Sequence, residues 1–410
     1  MSTTHAAVAT VALKAPLAII QVPTIKPTGE QVRVRVEWTA STPLDVHQND
    51  GGLLVTHPQV LGDGTAGTVV EVGPSVKNLK VGDKVFGFTW RSQAEKAHQE
   101  FCTAEEWLFA KLPEPYTLPE AVTLPNNFVT VFHTLATDLN IPTPWPKSSN
   151  YIPEDANQPI LIWGGSSSVG QFAIQILRYY GYTNILATAS SKNHDSLRAL
   201  GATHLVDYNA PDVVDSLLPL LHQVTSTSSP AAEGIAPLVF DCIGSKHGSI
   251  LPISKVVGKG AKVAVLLPVI VRDSSEEVDP EYEMDVAASA EWAEGLEARG
   301  VRTHSYLDVS NSSPHPTSPS NLPSWVTPIE KRRIEASLAA GADMLMQNEF
   351  FKYHLQPDIM HSLLRDGVVK PQRQRIVEGE SLLERAQRAL DMLRRKEASM
   401  ERLVWRVAEV

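Results

Sequence analysis

The sequence predicts an α/β protein in which a β-rich region is followed by a doubly wound parallel sheet. The region up to about residue 110 consists of short β-rich runs, such as QVRVRVEW and GTVVEVG, separated by turn sequences. From about Pro159 onward, apolar strand-like runs alternate with segments whose apolar residues have helical spacing. Strands that alternate with helices in this way build a parallel sheet with helices on both faces.

The elements of the second region follow one another in a regular order. Its expected strands are ILIW, NILATAS, THLVDY, PLVFDC and AKVAVLL. The expected helices include QFAIQILRYY, DSLRALG and DVVDSLLPLL, and more helical sequence follows in EKRRIEASLAAGADMLM and the closing segment. Two Pro-rich stretches interrupt this order. Residues 142–159 are expected to form an elaborated connection before the first parallel strand, and residues 310–324 an exposed Ser/Pro-rich loop.

Composition limits the classes of partner and compartment. With 46 acidic and 36 basic residues, the chain has no basic patch of the kind that nucleic acid or anionic lipid would select. We also find no uninterrupted apolar span and no secretory pattern at the start, so the expected location is the cytoplasm, with no membrane partner. Two distant cysteines, Cys102 and Cys242, argue against a disulfide framework and against a structural zinc loop.

The sequence ILIWGGSSSVG predicts a strand that turns tightly into a helix. Such a loop lets the backbone approach a dinucleotide pyrophosphate and places it at the helix N-terminus. The six candidate positions are Gly165, Ser166, Ser167, Ser168, Val169 and Gly170, with Ser167 in place of the middle glycine of the dinucleotide fingerprint. The alternative is an ordinary strand-to-helix turn, because small residues also serve that purpose.

The residues after the second parallel strand favour NADPH over NADH. A carboxylate at this point would hold the ribose 2′-hydroxyl of NAD, but the sequence reads Ser190, Ser191, Lys192 and Asn193. Hydroxyls, an amide and a lysine are suited to binding a 2′-phosphate, which a carboxylate would repel. A polar helix N-cap is the alternative interpretation, and the two roles are compatible.

Together with GGSSSVG, two further segments resemble the medium-chain dehydrogenase/reductase superfamily. They are LGDGTAGTVVEVGPSVKNLKVGDKVFGF (61–88) and the C-terminal return segment GVVKPQRQRIVEGESLLERAQRALDMLRRKEASMERLVWRV (367–407). The resemblance implies a GroES-like catalytic domain in residues 1–128, completed by residues 342–410. It also implies a Rossmann NADPH-binding domain in residues 129–341. Relatives of this kind occur as monomers and as dimers, so a homodimer remains an open alternative.

The resemblance implies a member that does not use zinc. Zinc alcohol dehydrogenases supply metal ligands from a Cys-x-x-Asp segment and a Gly-His-Glu segment, where this chain has Thr42 to Asp45 and Gly62-Asp63-Gly64. Both soft ligands are replaced, so no metal site is expected. Zinc-free relatives include NADPH quinone reductases and fungal trans-acting enoyl reductases. Asp63 is interpreted as a turn residue, with an acid/base group or an inward charge paired with a base as the alternatives.

The resemblance also supplies catalytic candidates. Thr42, Asp45 and His47 lie in TPLDVH, which is similar to the stretch that faces the nicotinamide in zinc-free relatives. His47 is the first candidate for proton donor or oxyanion stabiliser. A packing or surface role is the alternative for this histidine, which is one of 13 in the chain.

Further cofactor positions are implied in the same way. Thr130 corresponds to a threonine near the nicotinamide ribose, with Asn126 and Asn127 bordering the substrate cleft, although packing inside a helix would also explain Thr130. Tyr208 resembles a tyrosine at the adenosine end of NADPH, and packing at a strand end is its alternative. Leu266 and Leu267 correspond to backbone positions beside the nicotinamide carboxamide.

These observations predict an NADPH-dependent oxidoreductase that reduces a small molecule. Without a metal to polarise a carbonyl, the expected acceptor is an activated C=C bond of an enone or enoyl thioester, or a quinone. LPNNFVTVFHTL and VVKPQRQRIVEG resemble fungal members, some of which serve secondary metabolism. The alternative is a redox-silent or repurposed relative that binds NADPH without hydride transfer. A zinc alcohol dehydrogenase ranks last.

Overall fold

The computed structural model describes residues 3–222, 236–275, 277–303, 306 and 349–408. Three of the sequence-based predictions therefore lie outside the described residues, namely the loop at 310–324, the helical segment at 330–346 and the domain boundary at 341/342. The boundary at 128/129 falls within an observed helix and stays a prediction.

The first part of the chain is β-rich, as the sequence predicts. Its strands are β1 (Thr4–Thr10), β2 (Ala18–Pro23), β3 (Gln31–Ala40), β4 (Gln59–Val60), β5 (Gly64–Val72), β6 (Lys84–Phe88), β7 (Phe101–Glu105) and β8 (Phe109–Lys111). The helices are α1 (Pro43–Gly51), α2 (Leu118–Ala121) and α3 (Pro125–His133). One small sheet has the order β2-β1-β4. The main sheet is antiparallel around β3, which pairs with β5 and with β7.

The second part contains the predicted parallel sheet. All five expected strands are present as β9 (Ile160–Trp163), β10 (Ile185–Thr188), β11 (His204–Val206), β12 (Leu238–Asp241) and β13 (Lys262–Leu266). A hairpin follows, formed by β14 (Val269–Arg272) and β15 (Glu281–Glu283), and then β16 (Glu297–Val301). The sheet order is β11-β10-β9-β12-β13-β16, with every neighbouring pair parallel.

Helices cover both faces of the parallel sheet. They are α4 (Ser168–Tyr180), α5 (His194–Leu200), α6 (Val213–Leu221) and α7 (Leu251–Val256). Leu177 of α4 and Leu197 of α5 belong to one apolar core, whereas Leu217 of α6 and Ile253 of α7 belong to a second. The doubly wound prediction is therefore confirmed. Within the described part, no helix is both long and apolar enough to cross a membrane.

The C-terminal part of the chain returns to the first sheet. After a helical stretch at 349–354 and a π-helical turn (Leu355–Met360) come α8 (His361–Arg365), β17 (Arg373–Ile376), α9 (Leu382–Arg394) and β18 (Glu401–Arg406). β18 pairs antiparallel with β3, in register Val404 to Ala40 and Trp405 to Thr39. Helix α3 packs on α4, so the first core is continuous from the β-rich part to one face of the parallel sheet. This packing places the N-terminus of α4 beside α3 and β18.

Candidate active site

The predicted phosphate loop has the close geometry that its glycines suggest. A Cβ on Gly170 would lie 2.5 Å from the carbonyl oxygen of Gly164, so only glycine lets α4 approach the end of β9 this closely. Gly164 itself has a φ of 84°, in the left-handed region. Ser167 is the N-cap of α4, and its Oγ accepts a hydrogen bond from the Gly170 N–H at 3.1 Å. The serine in place of the middle glycine therefore caps the helix.

A buried arginine that the sequence analysis did not identify lies next to this loop. Arg402 of β18 is 5% exposed. Its Nη1 lies 3.5 Å from Ser168 Oγ, and its Nη2 donates to Asn126 Oδ1 at 3.2 Å. Its Nε is buried and has no hydrogen-bond partner among the described residues. In the sequence, Arg402 could have been noticed only as a charged residue directly before the apolar run LVW of β18.

Arg402 belongs to a buried group of charges that also contains Lys96, Asp45 and Asp63. Burial and the neighbouring charge of Asp63 raise the pKa of Asp45 to about 7. Burial also raises the pKa of Asp63, and the positive charges of Arg402 and Lys96 oppose that rise. Burial lowers the pKa of both cations, while the two carboxyls favour their charged forms. Two carboxyls and two cations thus balance one another in the interior.

The structure favours one of the alternatives for Asp63 over the turn role that the sequence analysis preferred. Asp63 is 4% exposed, and its Oδ2 accepts a hydrogen bond from Asn126 Nδ2 at 3.2 Å. It is the inward charge balanced by buried bases, Arg402 and Lys96. The turn role stays a prediction, and the buried bases were missed because they come from distant parts of the chain, about which a local Asp-Gly pattern gives no information.

Thr42 and Asp45, both predicted to be catalytic, form the N-cap of α1. Thr42 Oγ1 accepts a hydrogen bond from the Leu44 N–H at 3.1 Å, and Asp45 Oδ2 accepts one from the Thr42 N–H at 2.8 Å. This reciprocal arrangement is a capping box. Both side chains are buried. The structure thus shows a structural role for each, and their catalytic role stays a prediction.

His47, one turn along α1, makes a hydrogen bond to a residue from the other part of the chain. Its Nδ1 lies 2.8 Å from the hydroxyl of Tyr282, and the two rings meet edge to face with centroids 5.0 Å apart. Burial lowers the pKa of His47 to about 4, against weaker effects of Asp273 and Asp50. His47 is therefore neutral at pH 7. The sequence analysis missed Tyr282, since a single tyrosine in EYE gives no sign of a partner 235 residues away.

Thr130 lies in the same neighbourhood as Arg402. Its Oγ1 donates to the carbonyl oxygen of Asn126 at 2.7 Å and accepts a hydrogen bond from Thr303 at 3.1 Å. Asn126 bridges Asp63 and Arg402 through its amide group. Asn127 instead donates to the carbonyl oxygen of Thr123 at 3.2 Å. The structure thus brings Asn126 into the buried group of charges, whereas the amide of Asn127 bonds to the backbone of its own helix region.

The residues predicted to bind a 2′-phosphate follow β10 in a short turn. Ser190 Oγ lies 3.3 Å from the hydroxyl of Tyr208, and Lys192 is exposed, without a carboxylate partner in the described ranges. Asn193 is buried. Asp207, at the end of β11, accepts a hydrogen bond from the Ser191 N–H at 3.0 Å. Its carboxylate therefore orders the turn from the neighbouring strand.

A pocket of about 460 Å³ adjoins this turn. Its lining includes Lys192 and Asn193, together with Arg373 and Ser399 from the C-terminal part. Arg373 is a second cation that the sequence analysis missed. The two cations thus face one recess at the junction of α5 with the returning chain.

Leu266 and Leu267 lie at the carboxyl end of β13, and the phosphate loop follows the carboxyl end of β9 in the same parallel sheet. Leu266 is the last residue of that strand. A Cβ on Gly244 would lie 2.4 Å from the carbonyl oxygen of Leu266, so the loop after β12 passes against this backbone. A Cβ on Gly300 would lie 2.7 Å from Leu267 Cδ1.

Within the described ranges, no group of three or more His, Cys, Asp or Glu residues is arranged to hold a metal ion.

The chain is similar to known proteins over both parts. The alcohol dehydrogenase GroES-like domain family matches residues 28–130. The trans-enoyl reductase himH of Aspergillus japonicus is 34% identical over 220 residues, which cover 52% of this chain and 59% of that protein. The trans-enoyl reductase tazE of Aspergillus terreus is 33% identical over 213 residues, covering 50% of this chain and 68% of that protein. The chain spans 59% of the length of himH and of a further trans-enoyl reductase from Aspergillus flavipes.

Solved structures resemble the whole chain in fold. The quinone oxidoreductase from Coxiella burnetii superposes with a TM-score of 0.62 at 19% identity, covering 99% of this chain and 100% of that one. The CurK enoyl reductase gives a TM-score of 0.61 at 16% identity, covering 97% and 99%. A mycobacterial protein solved in complex with NADPH gives 0.60 at 16% identity, covering 98% and 99%. At these identities the likeness shows the fold alone.

Proposed function

The chain belongs to the medium-chain dehydrogenase/reductase superfamily, and from that premise we propose that it is an NADPH-dependent, zinc-independent reductase. Its proposed acceptor is an activated C=C bond in an enone or enoyl thioester, or a quinone. The observation that carries this proposal is the glycine-serine loop at the N-terminus of α4, with Arg402 beside Ser168. The named relatives among fungal trans-enoyl reductases support the choice of reaction.

The residues around the loop fit a dinucleotide. Gly170 lets the N-terminus of α4 pack closely on the end of β9, and the dipole of α4 favours an anion at that terminus. Arg402 adds a guanidinium whose Nε has no partner in the described part of the chain. When bound, NADPH supplies the hydride. Thr130, Leu266 and Leu267 are proposed to position the nicotinamide. Thr130 lies on α3, and the two leucines lie at the carboxyl end of β13.

Preference for NADPH over NADH is supported by the turn after β10. Lys192 is exposed and has no carboxylate partner in the described ranges. Ser190 and Tyr208 add hydroxyl groups beside it. The carboxylate of Asp207 accepts hydrogen bonds from the backbone N–H groups of Ser191 and Asn209, so both of its oxygens are already engaged. We therefore assign the 2′-phosphate to Lys192, Ser190 and Tyr208, with Asn193 as part of the turn.

Conjugate reduction rather than zinc-dependent alcohol oxidation is supported by the buried group of charges. Thr42 and Asp63 stand where relatives have a cysteine and a histidine ligand, and their polar atoms bond to α1 and to Asn126. Hard oxygen donors balanced by Lys96 and Arg402 are a poor match for a catalytic zinc site. His47 then becomes the group that meets charge on the substrate oxygen.

We also propose a cytoplasmic location, because both cysteines are free and buried. A homodimer is proposed to form through β16, which is the end strand of the parallel sheet among the residues that the structure describes. Sedimentation velocity of the full chain tests this assembly. A single monomer peak across the concentration range would contradict it.

The function is tested by fluorescence titration with NADPH and NADH, followed by NADPH oxidation in the presence of naphthoquinone, cyclohexenone and crotonyl-coenzyme A. We expect selective NADPH binding and turnover of at least one acceptor. Stoichiometric zinc in elemental analysis, or loss of turnover with a chelator, would overturn zinc independence. Binding without turnover of any acceptor would favour the redox-silent alternative. The absence of binding would mean that GGSSSVG is only a turn.

A further inference from the structure

The β14–β15 hairpin leaves the parallel sheet directly after Leu267 and is anchored on the first part of the chain. Ser274 Oγ donates to Asp50 Oδ2 of α1 at 2.7 Å. Lys396 Nζ, just beyond α9, donates to Asp273 Oδ2 at 2.6 Å. The first bond holds the hairpin against the C-terminal end of α1, and the second ties it to the chain that follows α9.

Tyr282 of β15 fits closely against α1. A Cβ on Gly51 would lie 2.3 Å from Tyr282 Cε2, so glycine at this position makes room for the ring. The hydroxyl of Tyr282 is then 2.8 Å from His47 Nδ1. The contact is thus built from both sides, by a small residue on α1 and by a fixed hairpin.

The direction of this hydrogen bond follows from the charge states of the two groups. Burial raises the pKa of Tyr282, and burial lowers the pKa of His47 to about 4, so both are neutral at pH 7. The charged groups around the pair are Asp50 and Asp273, which are held by Arg394 and Lys396. A neutral imidazole carries one N–H and one bare nitrogen. In the described part of the chain the tyrosyl proton has no other acceptor, so donation to Nδ1 is the arrangement that pairs this proton, while the 2.8 Å distance itself fits either direction.

A proton acceptor role for Nδ1 leaves the imidazole proton on Nε2. In the described part of the chain Nε2 has no hydrogen-bond partner, and it is not among the polar atoms sealed in the interior. It is therefore free to donate to a ligand. Its helix, α1, also carries Asp45, which interacts with Arg402 beside the phosphate loop. The helix that carries His47 thus meets the charges beside the proposed cofactor site through Asp45, and His47 itself contacts the hairpin.

We infer that Tyr282 is a positioning residue that holds His47 in the Nε2–H tautomer, so that Nε2–H donates a hydrogen bond to the substrate oxygen. This inference rests on the proposed function. When hydride adds to the β-carbon of an enone, the C=C electron pair shifts and the carbonyl oxygen gains negative charge. His47 keeps its proton throughout. Water supplies the proton that later forms the C–H bond at the α-carbon.

The tautomer is tested directly in the full chain labelled with nitrogen-15 in histidine. Long-range proton–nitrogen NMR spectra distinguish the two neutral tautomers, and a His47→Gln sample identifies the signal. We expect the Nε2–H form in the wild type and a mixture in Tyr282→Phe. A wild-type His47 in the Nδ1–H form, or as imidazolium at pH 7, would overturn the inference whether or not the protein turns out to be a reductase.

The kinetic test compares Tyr282→Phe with Ser274→Ala, which removes another hairpin bond to α1 but not the bond to His47. With crotonyl-coenzyme A or naphthoquinone as acceptor, we expect Tyr282→Phe to lower kcat about tenfold, the effect of one hydrogen bond, with KM for NADPH unchanged. Ser274→Ala should lower kcat less than Tyr282→Phe does, because the bond to His47 remains. Equal losses in both variants would mean that the hairpin has only a structural role. A wild type that is inactive with every acceptor contradicts the proposed function and leaves the NMR outcome to decide on Tyr282.

Discussion

Single side chains decide which atoms are left to bind a ligand. Ser167 uses its hydroxyl to cap α4, so the Gly170 N–H is already paired before any phosphate arrives. The positive charge beside the loop comes instead from Arg402, at 3.5 Å from Ser168 Oγ. In the turn after β10, too, one side chain orders the backbone and another is left to bind a ligand. Asp207 accepts the hydrogen bond from the Ser191 N–H, while Lys192 stays exposed. On the proposed function, we therefore expect selectivity between NADPH and NADH to depend on Lys192 more than on the loop.

Replacement of Lys192 by alanine should weaken NADPH binding by about 1–3 kcal/mol, the range of a charge-assisted hydrogen bond. NADH binding should hardly change, since NADH lacks the 2′-phosphate. Arg198→Ala is the matched control, because Arg198 is also an exposed cation of this region but pairs with Asp195. Fluorescence titrations with both cofactors measure the effect. Equal losses of affinity for NADPH and NADH in Lys192→Ala would contradict the assignment of Lys192 to the 2′-phosphate.

The neutral state of His47 predicts a pH dependence of stability. Its pKa is about 4 in the folded protein and about 6.5 in the unfolded chain, so between these values the unfolded state binds more protons. Stability then falls as pH decreases through this window and is unaffected by this group above it. His47→Gln should lose a slope of about 1 kcal/mol per pH unit between pH 6 and pH 4.5. Urea unfolding at several pH values measures this difference, and parallel curves for the two proteins would contradict it.

At the scale of elements, α1 joins the cap, the buried charges and the hairpin. Its first turn is closed by Thr42 and Asp45, and its last residues meet Tyr282 and Ser274. A helix of nine residues has little stability of its own, so these end contacts fix its position. A change in the capping box should therefore lower the free energy of unfolding more clearly than it lowers kcat.

Thr42→Ala should lower the free energy of unfolding by about 1 kcal/mol, the cost of a lost N-cap, while Thr42→Ser should restore it. Thermal unfolding of the two variants and the wild type measures the change. The Oγ acceptor of serine keeps the bond to the Leu44 N–H. A large loss of kcat in Thr42→Ser, without a change in stability, would show that the methyl group or its exact placement acts in catalysis as well.

The elements that the sequence predicted are those with a strong local pattern. The five apolar strands from β9 to β13 and the helices α4 to α6 appear where periodicity indicates them. β16, with the sequence EARGV, has exposed Glu297 and Arg299 and carries no apolar run, so periodicity does not indicate it as a strand. The β14–β15 hairpin has short strands with a shift in register, and its place is set by contacts with α1. Local sequence does not contain that information.

At the scale of the whole molecule, the return of the chain completes the site. β18 pairs with β3. This pairing brings Arg402 into hydrogen-bond contact with Asn126 and next to Ser168 of the parallel-sheet part. The loop residues of the site could be predicted because the strand, the turn and the helix are contiguous. Arg402 and Tyr282 could not, since they meet their partners across 234 and 235 residues of chain. Only the folded topology shows these contacts.

The position of Arg402 predicts how cofactor affinity changes when its geometry is altered. Arg402→Lys should weaken NADPH and NADH binding equally, by about 1.5–3 kcal/mol, because a lysine cannot bond to Asn126 and to a diphosphate at once. Lysine keeps the positive charge beside Asp45 and Asp63, whereas alanine would leave Lys96 as the one remaining cation against two buried carboxyls and cost about 3–5 kcal/mol of stability.

The control for Arg402→Lys is Arg406→Lys on the same strand, where the arginine is exposed and stacks on Trp38 at 5.0 Å. It should bind both cofactors as the wild type does. Titrations with NADPH and NADH, read beside those of Lys192→Ala, separate the two anionic groups of the cofactor. A loss confined to NADPH would place Arg402 at the 2′-phosphate, and unchanged binding of both cofactors would leave it as a structural counter-charge for Asp63.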